Sequence, residues 1–92
     1  MDSFGELLRN RREELGLPLR KVAAELDIDT SILSKIERNE RTATKEMLPV
    51  LSNVLDIELR ELEIRFIREQ IHSQFGDMTY LKDALGEEVQ EL

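Results

Sequence analysis

The stretch that decides the fold is residues 19–38, LRKVAAELDIDTSILSKIER. Its apolar side chains recur at the spacing of two short helices joined by a tight turn. The positions predicted to face the core are Val22, Ala23, Leu26, Ile28, Leu33 and Ile36. Two helices that cross at about 90–120° need a small side chain where they approach most closely, and Ala23 supplies it. Asp27 occupies the turn position that often needs a positive φ, which glycine adopts most easily but Asp tolerates.

With its flanks, this stretch is a helix-turn-helix pattern that resembles the lambda-repressor-like, or XRE-type, bacterial and phage transcription regulators. The similarity covers about residues 3–63. Arg12 lies four residues before Gly16 at the end of a first amphipathic helix, and Glu37 ends the second helix of the motif. In the family resembled, the arginine at this place pairs with the glutamate that matches Glu37. The resemblance therefore implies a structural pair, Arg12 and Glu37, that ties the first helix to the motif.

Length and composition indicate one small all-α protein. The chain has 92 residues, few aromatic side chains and many Leu and Ile, and its core is small enough for oligomerisation to supplement it. The absence of cysteine excludes disulfides and thiolate metal sites. No apolar run approaches the roughly 20 residues of a membrane span, and no signal-peptide pattern opens the chain, so we expect a cytoplasmic protein without membrane contact. The resemblance implies a bacterial or phage-encoded protein that is nucleoid-associated when bound.

The net charge of −7 is concentrated in the second half of the chain. Residues 1–45 hold nine basic and nine acidic side chains, whereas residues 46–92 hold four basic and eleven acidic ones. An acidic half is repelled by a duplex, so we expect it to point away from DNA or to face a protein partner. The alternative, that these acids only solvate an exposed helix, stays open.

Capping residues predict where the first helix and the second helix of the motif begin. Ser3 followed by Glu6 is a capping-box pattern that opens a helix to about Leu15. The second helix of the motif begins near Asp29 or Thr30, because either side chain can cap it. Exposed N–H groups at that end would face a phosphate.

Helices are also predicted in the second half of the chain. Thr44 is expected to cap a fourth helix that ends near residue 55, within which Pro49 either shortens or kinks the helix because proline lacks an N–H. A long helix is predicted over about residues 58–74. Asp77 is expected to cap a last helix.

The outward side chains of the motif's second helix are the candidate base-reading residues. Leu33 and Ile36 face inward, which leaves as candidates Thr30, Ser31, Ile32 and Lys35. Hydroxyls donate or accept hydrogen bonds, Lys35 can reach guanine O6 or N7, and Ile32 can meet a thymine methyl. For Ile32, a position at the edge of the core is the open alternative.

Candidate phosphate contacts surround this helix. They are Arg20, Lys21, Asp29, Ser34, Arg38, Arg41, Thr42 and Lys45. Pro18 stands where the family usually has a Ser or Thr that touches phosphate, which leaves Arg20 and Lys21 as the charges there. A solvated surface is the open alternative for these two residues and for the loop 41–45.

An apolar stripe continues past the positions that close the domain. It consists of Ile64, Phe66, Ile67, Ile71 and Phe75, and a stripe of this size commonly marks a protein interface. We therefore predict an all-α, five-helix lambda-repressor-like DNA-binding domain over residues 1–63 with a C-terminal helical extension over residues 64–92. The extension is the predicted dimerisation element, and the homodimer would form through residues 58–85.

No pattern in the sequence indicates catalysis. There is no glycine-rich phosphate loop, metal-ligand spacing or nucleophile elbow, and His72 is the single histidine, so we expect no enzyme activity, metal or cofactor. The resemblance implies a sequence-specific transcription regulator that binds a palindromic operator in double-stranded DNA as a homodimer. It would act as a repressor, or as a controller or antitoxin-type autoregulator. The alternative is a protein-interaction module that keeps the fold but binds DNA weakly or not at all, with a partner at the acidic half.

Overall fold

The structure is a computed structural model that describes residues 2–92. These residues form six α-helices and no strand: α1 Phe4–Glu14, α2 Leu19–Glu25, α3 Thr30–Glu37, α4 Met47–Leu55, α5 Leu59–Phe75 and α6 Leu81–Glu91. The prediction of an all-α fold is confirmed. Of the helices in this part of the chain, none has both the length and the apolarity to cross a membrane.

Helices α1 to α5 enclose the core. Helix α3 packs against α1 and α2, while α4 packs against α5, α2 and α1. The most deeply buried side chains are Leu8, Val22, Leu33, Leu51, Leu55 and Leu62. Each contributes about 1.5–3 kcal/mol relative to an exposed position. Ala23, at 2% exposure, sits between α2 and its neighbours as the crossing requires.

The N-terminal end of α1 meets the C-terminal end of α3 with almost no space between them. A Cβ atom at Gly5 would lie 2.4 Å from the carbonyl oxygen of Ile36 and 2.6 Å from that of Glu37. Asn39, at φ 61°, accepts a hydrogen bond from the Gly5 N–H at 3.2 Å and donates one to Ser3 Oγ at 2.8 Å. These contacts fix the position of α3 on α1.

We expect Gly5→Ala to destabilise the protein by about 2 kcal/mol, because the new methyl group overlaps two backbone carbonyls and forces the helices apart. Thermal unfolding followed by circular dichroism measures the change. Gly86→Ala is the matched control, since a Cβ there meets no atom within 4 Å and the helix gains about 0.5–1 kcal/mol from alanine. Equal melting temperatures for the two variants would contradict the close contact.

Helix α4 begins later than predicted, and Pro49 explains why. The expected cap, Thr44, begins a turn instead, and its carbonyl oxygen accepts a hydrogen bond from the Met47 N–H at 3.1 Å. The residue at the N-cap position is Glu46. Pro49 therefore falls in the first turn, where backbone N–H groups have no partner inside the helix. Of the two alternatives for Pro49, the structure shows the shortened helix.

Helix α5 runs without a break through the predicted boundary between residues 63 and 64. Beyond that point, the Phe66 ring packs edge-to-face on Phe4, with 5.6 Å between ring centroids. The Glu69 carboxylate accepts a hydrogen bond from the Phe4 N–H at 2.6 Å. The first part of the predicted extension therefore packs on the domain core.

Helix α6 stands apart from the other five. Asp77, the predicted cap, does not cap α6, because it lies in the first of two turns between α5 and α6. Tyr80 occupies the N-cap position. The Met78 N–H donates to the Phe75 carbonyl, and the Leu81 N–H donates to that of Met78, so the chain turns twice before α6 begins. The radius of gyration, 14.6 Å, exceeds the about 12 Å of a compact domain of this length because α6 projects from it.

Candidate nucleic-acid interface

Helix α3 is held by its inner face and by the turn that precedes it. Leu33 and Ile36 are buried in the core. Asp27 has a φ of 56°, as predicted for this turn, and the Ile28 N–H donates to the Ala23 carbonyl at 3.1 Å. The turn therefore closes α2 and fixes the direction in which α3 leaves it.

A two-point ion pair joins α1 to the end of α3. Arg12 Nε donates to Glu37 Oε2 at 2.8 Å, and Arg12 Nη2 donates to Glu37 Oε1 at 3.0 Å. The side chains are 14% and 5% exposed, and Arg12 Nη1 also donates to the Leu17 carbonyl. The hydrogen bonds to the Glu37 carboxylate raise the pKa of Arg12, although the partial burial of the guanidinium acts in the opposite direction.

The outer face of α3 presents polar side chains to solvent. Thr30, Ser31 and Lys35 are exposed, in agreement with the predicted outward positions. Ile32 is half-buried and packs against the core. It therefore lies at the edge of the core, which is one of the two alternatives for this residue. The face that remains free combines two hydroxyls with one ammonium group.

This arrangement of helices has a match among protein families. The helix-turn-helix family model matches residues 8–62, which is more than half of the chain and includes all of α2 and α3. The chain belongs to the lambda-repressor-like, XRE-type helix-turn-helix family. Members of this family are DNA-binding transcription regulators and are typically not enzymes. No curated protein and no solved structure matches the chain.

In this helix-turn-helix protein, most basic side chains around α3 form no ion pair with another described residue. Within residues 2–92, no ion pair forms at Arg20, Lys21, Lys35, Arg41 or Lys45, and all five are exposed. Arg38 differs, because its Nη1 lies 2.8 Å from Glu40 Oε2 in a pair that is about half exposed on both sides. The Arg38 guanidinium also donates to the Ser34 carbonyl at 3.3 Å.

Two further residues of the predicted phosphate set belong to α3 or its cap: Asp29 precedes the helix, and Ser34 lies within it. Asp29 is at the N-cap position, but its side chain makes no capping bond, and its carboxylate is exposed. That negative charge would repel a phosphate, so only the backbone N–H groups at this end suit one. Ser34 is half-buried, which limits its hydroxyl to the margin of the outer face.

The loop after α3 is anchored at one point and free at the others. Ala43 is buried in the core, whereas Arg41, Thr42 and Lys45 are exposed on either side of it. The anchor holds the loop beside the end of α3. The polar side chains of the loop thus lie on a defined surface.

Two positioning residues were not foreseen from the sequence. Arg11 Nε donates to the Leu55 carbonyl at 2.9 Å, and its Nη2 lies 3.5 Å from an Asp56 carboxylate oxygen, so it joins α1 to the end of α4. Asn39 takes a left-handed conformation at the end of α3, and its side chain joins α3 to α1. Helical spacing gives no signal for either contact, because both depend on which helix ends meet.

Proposed function

We propose that this protein is a sequence-specific regulator that binds a palindromic operator as a homodimer and acts as a repressor by occupying it. The observation that carries the proposal is the outer face of α3, whose polar side chains project from a helix held rigidly by Leu33, Ile36 and the Arg12–Glu37 pair. A helix of this kind fits the major groove of B-DNA.

Roles in DNA recognition follow from exposure and charge. We assign base reading to Thr30, Ser31 and Lys35, with Ile32 able to reach a thymine methyl from its exposed edge. Phosphate contacts are assigned to the basic side chains around α3 that form no ion pair. Arg38 is given a smaller share, because it is already paired with Glu40. These assignments are Arg20, Lys21, Arg38, Arg41, Thr42 and Lys45, together with Ser34 and the backbone N–H of Asp29 and its neighbours.

The surface area of the single chain supports dimerisation. A compact protein of 10.7 kDa exposes about 5,500 Å², so the 6668 Å² of this chain is roughly 1,200 Å² in excess. A stable interface buries about 800 Å² per partner. Large exposed apolar side chains lie on α5, on α6 and between them: Leu59, Ile64, Ile67, Phe75, Met78, Tyr80, Leu85, Val89 and Leu92.

A two-fold dimer through this surface would serve DNA binding in two ways. It would present two copies of α3 to successive major grooves, which are about 34 Å apart on one face of the duplex. It would also hold the acidic C-terminal residues of both subunits away from the phosphates.

Selection from a pool of random double-stranded DNA tests the proposal. We expect enrichment of one palindrome with half-site centres about 10–11 base pairs apart. A variant with Thr30→Ala, Ser31→Ala and Lys35→Ala keeps every core residue and should enrich no sequence. Failure of the parent chain to enrich any sequence would instead favour the protein-interaction module.

Lys35→Ala is expected to weaken binding to the preferred site by about 1–3 kcal/mol while leaving binding to random DNA much less affected, because Lys35 would read a base edge. Fluorescence anisotropy with both DNAs measures the two losses. Lys45→Ala serves as the matched control, since a phosphate contact should weaken both DNAs alike. Equal losses for Lys35→Ala would make it a phosphate contact too.

Salt dependence counts the phosphate contacts. If about four basic groups per subunit engage phosphates, the slope of log affinity against log salt concentration should be about −7 for a dimer, from roughly 0.9 per contact. Titrations between about 50 and 200 mM salt give the slope. A value shallower than about −3 is inconsistent with this set of contacts.

A further inference from the structure

Helix α5 has a second apolar side that does not face the core. Its inner side carries Leu62 and Phe66, which pack on the domain. About half a turn away lies a stripe that we call the outer stripe, formed by Ile64, Ile67, Ile71 and Phe75. Three of these four side chains are 39–48% exposed, which is unusual for large apolar residues arranged in a continuous row.

Helix α6 presents an apolar side of its own. This side, the α6 face, consists of Leu81, Leu85, Val89 and Leu92. An open apolar groove, lined by Ile71 and Phe75 from α5 and by Leu81 and Leu85 from α6, separates the two helices. Within residues 2–92, α6 packs broadly on no other helix, so the chain by itself leaves both apolar sides uncovered.

The charges of the two helices favour pairing α6 with α5 over pairing α6 with α6. Residues 59–75 carry three basic and three acidic side chains, whereas residues 81–92 carry one basic and four acidic ones. Two copies of α6 side by side would bring two charges of −3 together, which is destabilising. Packing α6 on a neutral helix avoids this repulsion.

The positions of the charges also fix a direction. Arg60 and Arg68 border the outer stripe and lie in the first ten residues of α5. Glu88 and Glu91 border the α6 face near the end of α6. An antiparallel arrangement brings the arginines and glutamates together, although Glu63, beside the same stripe, reduces the attraction.

The lengths of the two surfaces agree. The eleven residues of α6 span about 16 Å, and the rise from Ile64 to Phe75 is also about 16 Å, at roughly 1.5 Å per residue. One α6 therefore covers the whole outer stripe of another chain.

We propose that the partner of this surface is a second copy of the chain, and that the α6 face of each copy packs antiparallel on the outer stripe of the other. The inference rests on the homodimer of the proposed function and specifies its interface. Each copy gives one α6 and receives one, so the same contact occurs twice about the two-fold axis. The acidic end of each α6 lies beside Arg60 and Arg68 of the other copy.

Charge exchange between chains tests this arrangement. One full-length variant carries Arg60→Glu and Arg68→Glu, and the other carries Glu88→Lys and Glu91→Lys. All four positions are exposed, so the folds should persist, and circular dichroism checks this. We expect each variant alone to form homodimers at least about tenfold more weakly than the parent in sedimentation equilibrium, because both copies of the contact become repulsive.

Mixing the two variants should restore dimers with affinity close to that of the parent, because opposite charges then face each other at both contacts. Asp83→Lys is the matched control, since Asp83 points away from the α6 face and its reversal should leave the dimer unchanged. If the variant with Glu88→Lys and Glu91→Lys forms tighter dimers than the parent, the proposal is overturned in favour of α6 packing on α6. Parent-like dimers of both variants, or mixing without recovery, would also overturn it. If the parent chain stays monomeric, the homodimer of the proposed function is itself wrong.

Discussion

Glu37→Gln is expected to lower the free energy of unfolding by about 3 kcal/mol. The substitution leaves the Arg12 guanidinium, 14% exposed, without its carboxylate, and an uncompensated charge in such a place is costly. A protein of this size has a total stability of about 5–14 kcal/mol, so the loss is a large fraction of it. In thermal unfolding, the melting temperature should fall by more than about 10 °C.

Glu40→Gln is the matched control, because it removes the same charge three residues away from a pair that is half exposed. Its loss should stay below about 1 kcal/mol. A second variant, Arg12→Met with Glu37→Leu, removes both charges and should recover most of the stability, since apolar replacements of a buried pair are often neutral. A melting curve for Glu37→Gln that overlays the curve of Glu40→Gln would show that the pair is not what holds α3 on α1.

Leu85→Glu is expected to convert the proposed dimer into a folded monomer and to weaken binding to the palindromic site by more than about 100-fold. The domain core lies entirely within α1 to α5, so a charge on α6 should leave it intact. Affinity falls because the second half-site is then bound by an independent molecule and no longer by a tethered one, whose effective concentration is in the millimolar range. Light scattering and anisotropy measure the two changes.

Gln90→Glu adds the same charge to the opposite side of α6 and should preserve both the dimer and the affinity. A chain that ends at Gly76 should behave like Leu85→Glu, because it keeps all of α5. A chain that ends at Glu63 should be less stable, since it also loses Phe66 and Glu69 from their contacts with Phe4. A dimeric Leu85→Glu protein would locate the interface elsewhere.

Sequence reasoning predicted the features that arise within one or two turns of helix. The Ser3 cap, the positive φ at Asp27 and the inward positions of α3 follow from local chemistry, and the structure contains all of them. The Arg12–Glu37 contact, between residues far apart in the chain, came from the family resemblance instead, because periodicity cannot join α1 to α3.

The features that sequence reasoning missed depend on how helix ends meet in space. The start of α4 was placed at Thr44 because that residue is a good cap, whereas Pro49 requires a later start. Asp56, at φ 52°, takes a left-handed conformation that was not predicted, next to the Arg11 side chain. The ring of Phe66, which lies beyond the positions that close the family pattern, extends the packed core along α5.

The uncovered apolar row on α5 has a consequence for dosage in the cell. If two chains must meet to cover it and only the pair holds the operator firmly, the amount of the active species at low expression rises with the square of the total protein concentration. Halving the supply of protein would then cut occupancy about fourfold, a steeper response than a monomeric regulator gives. A gene whose own product binds in this way would switch over a narrow range of expression.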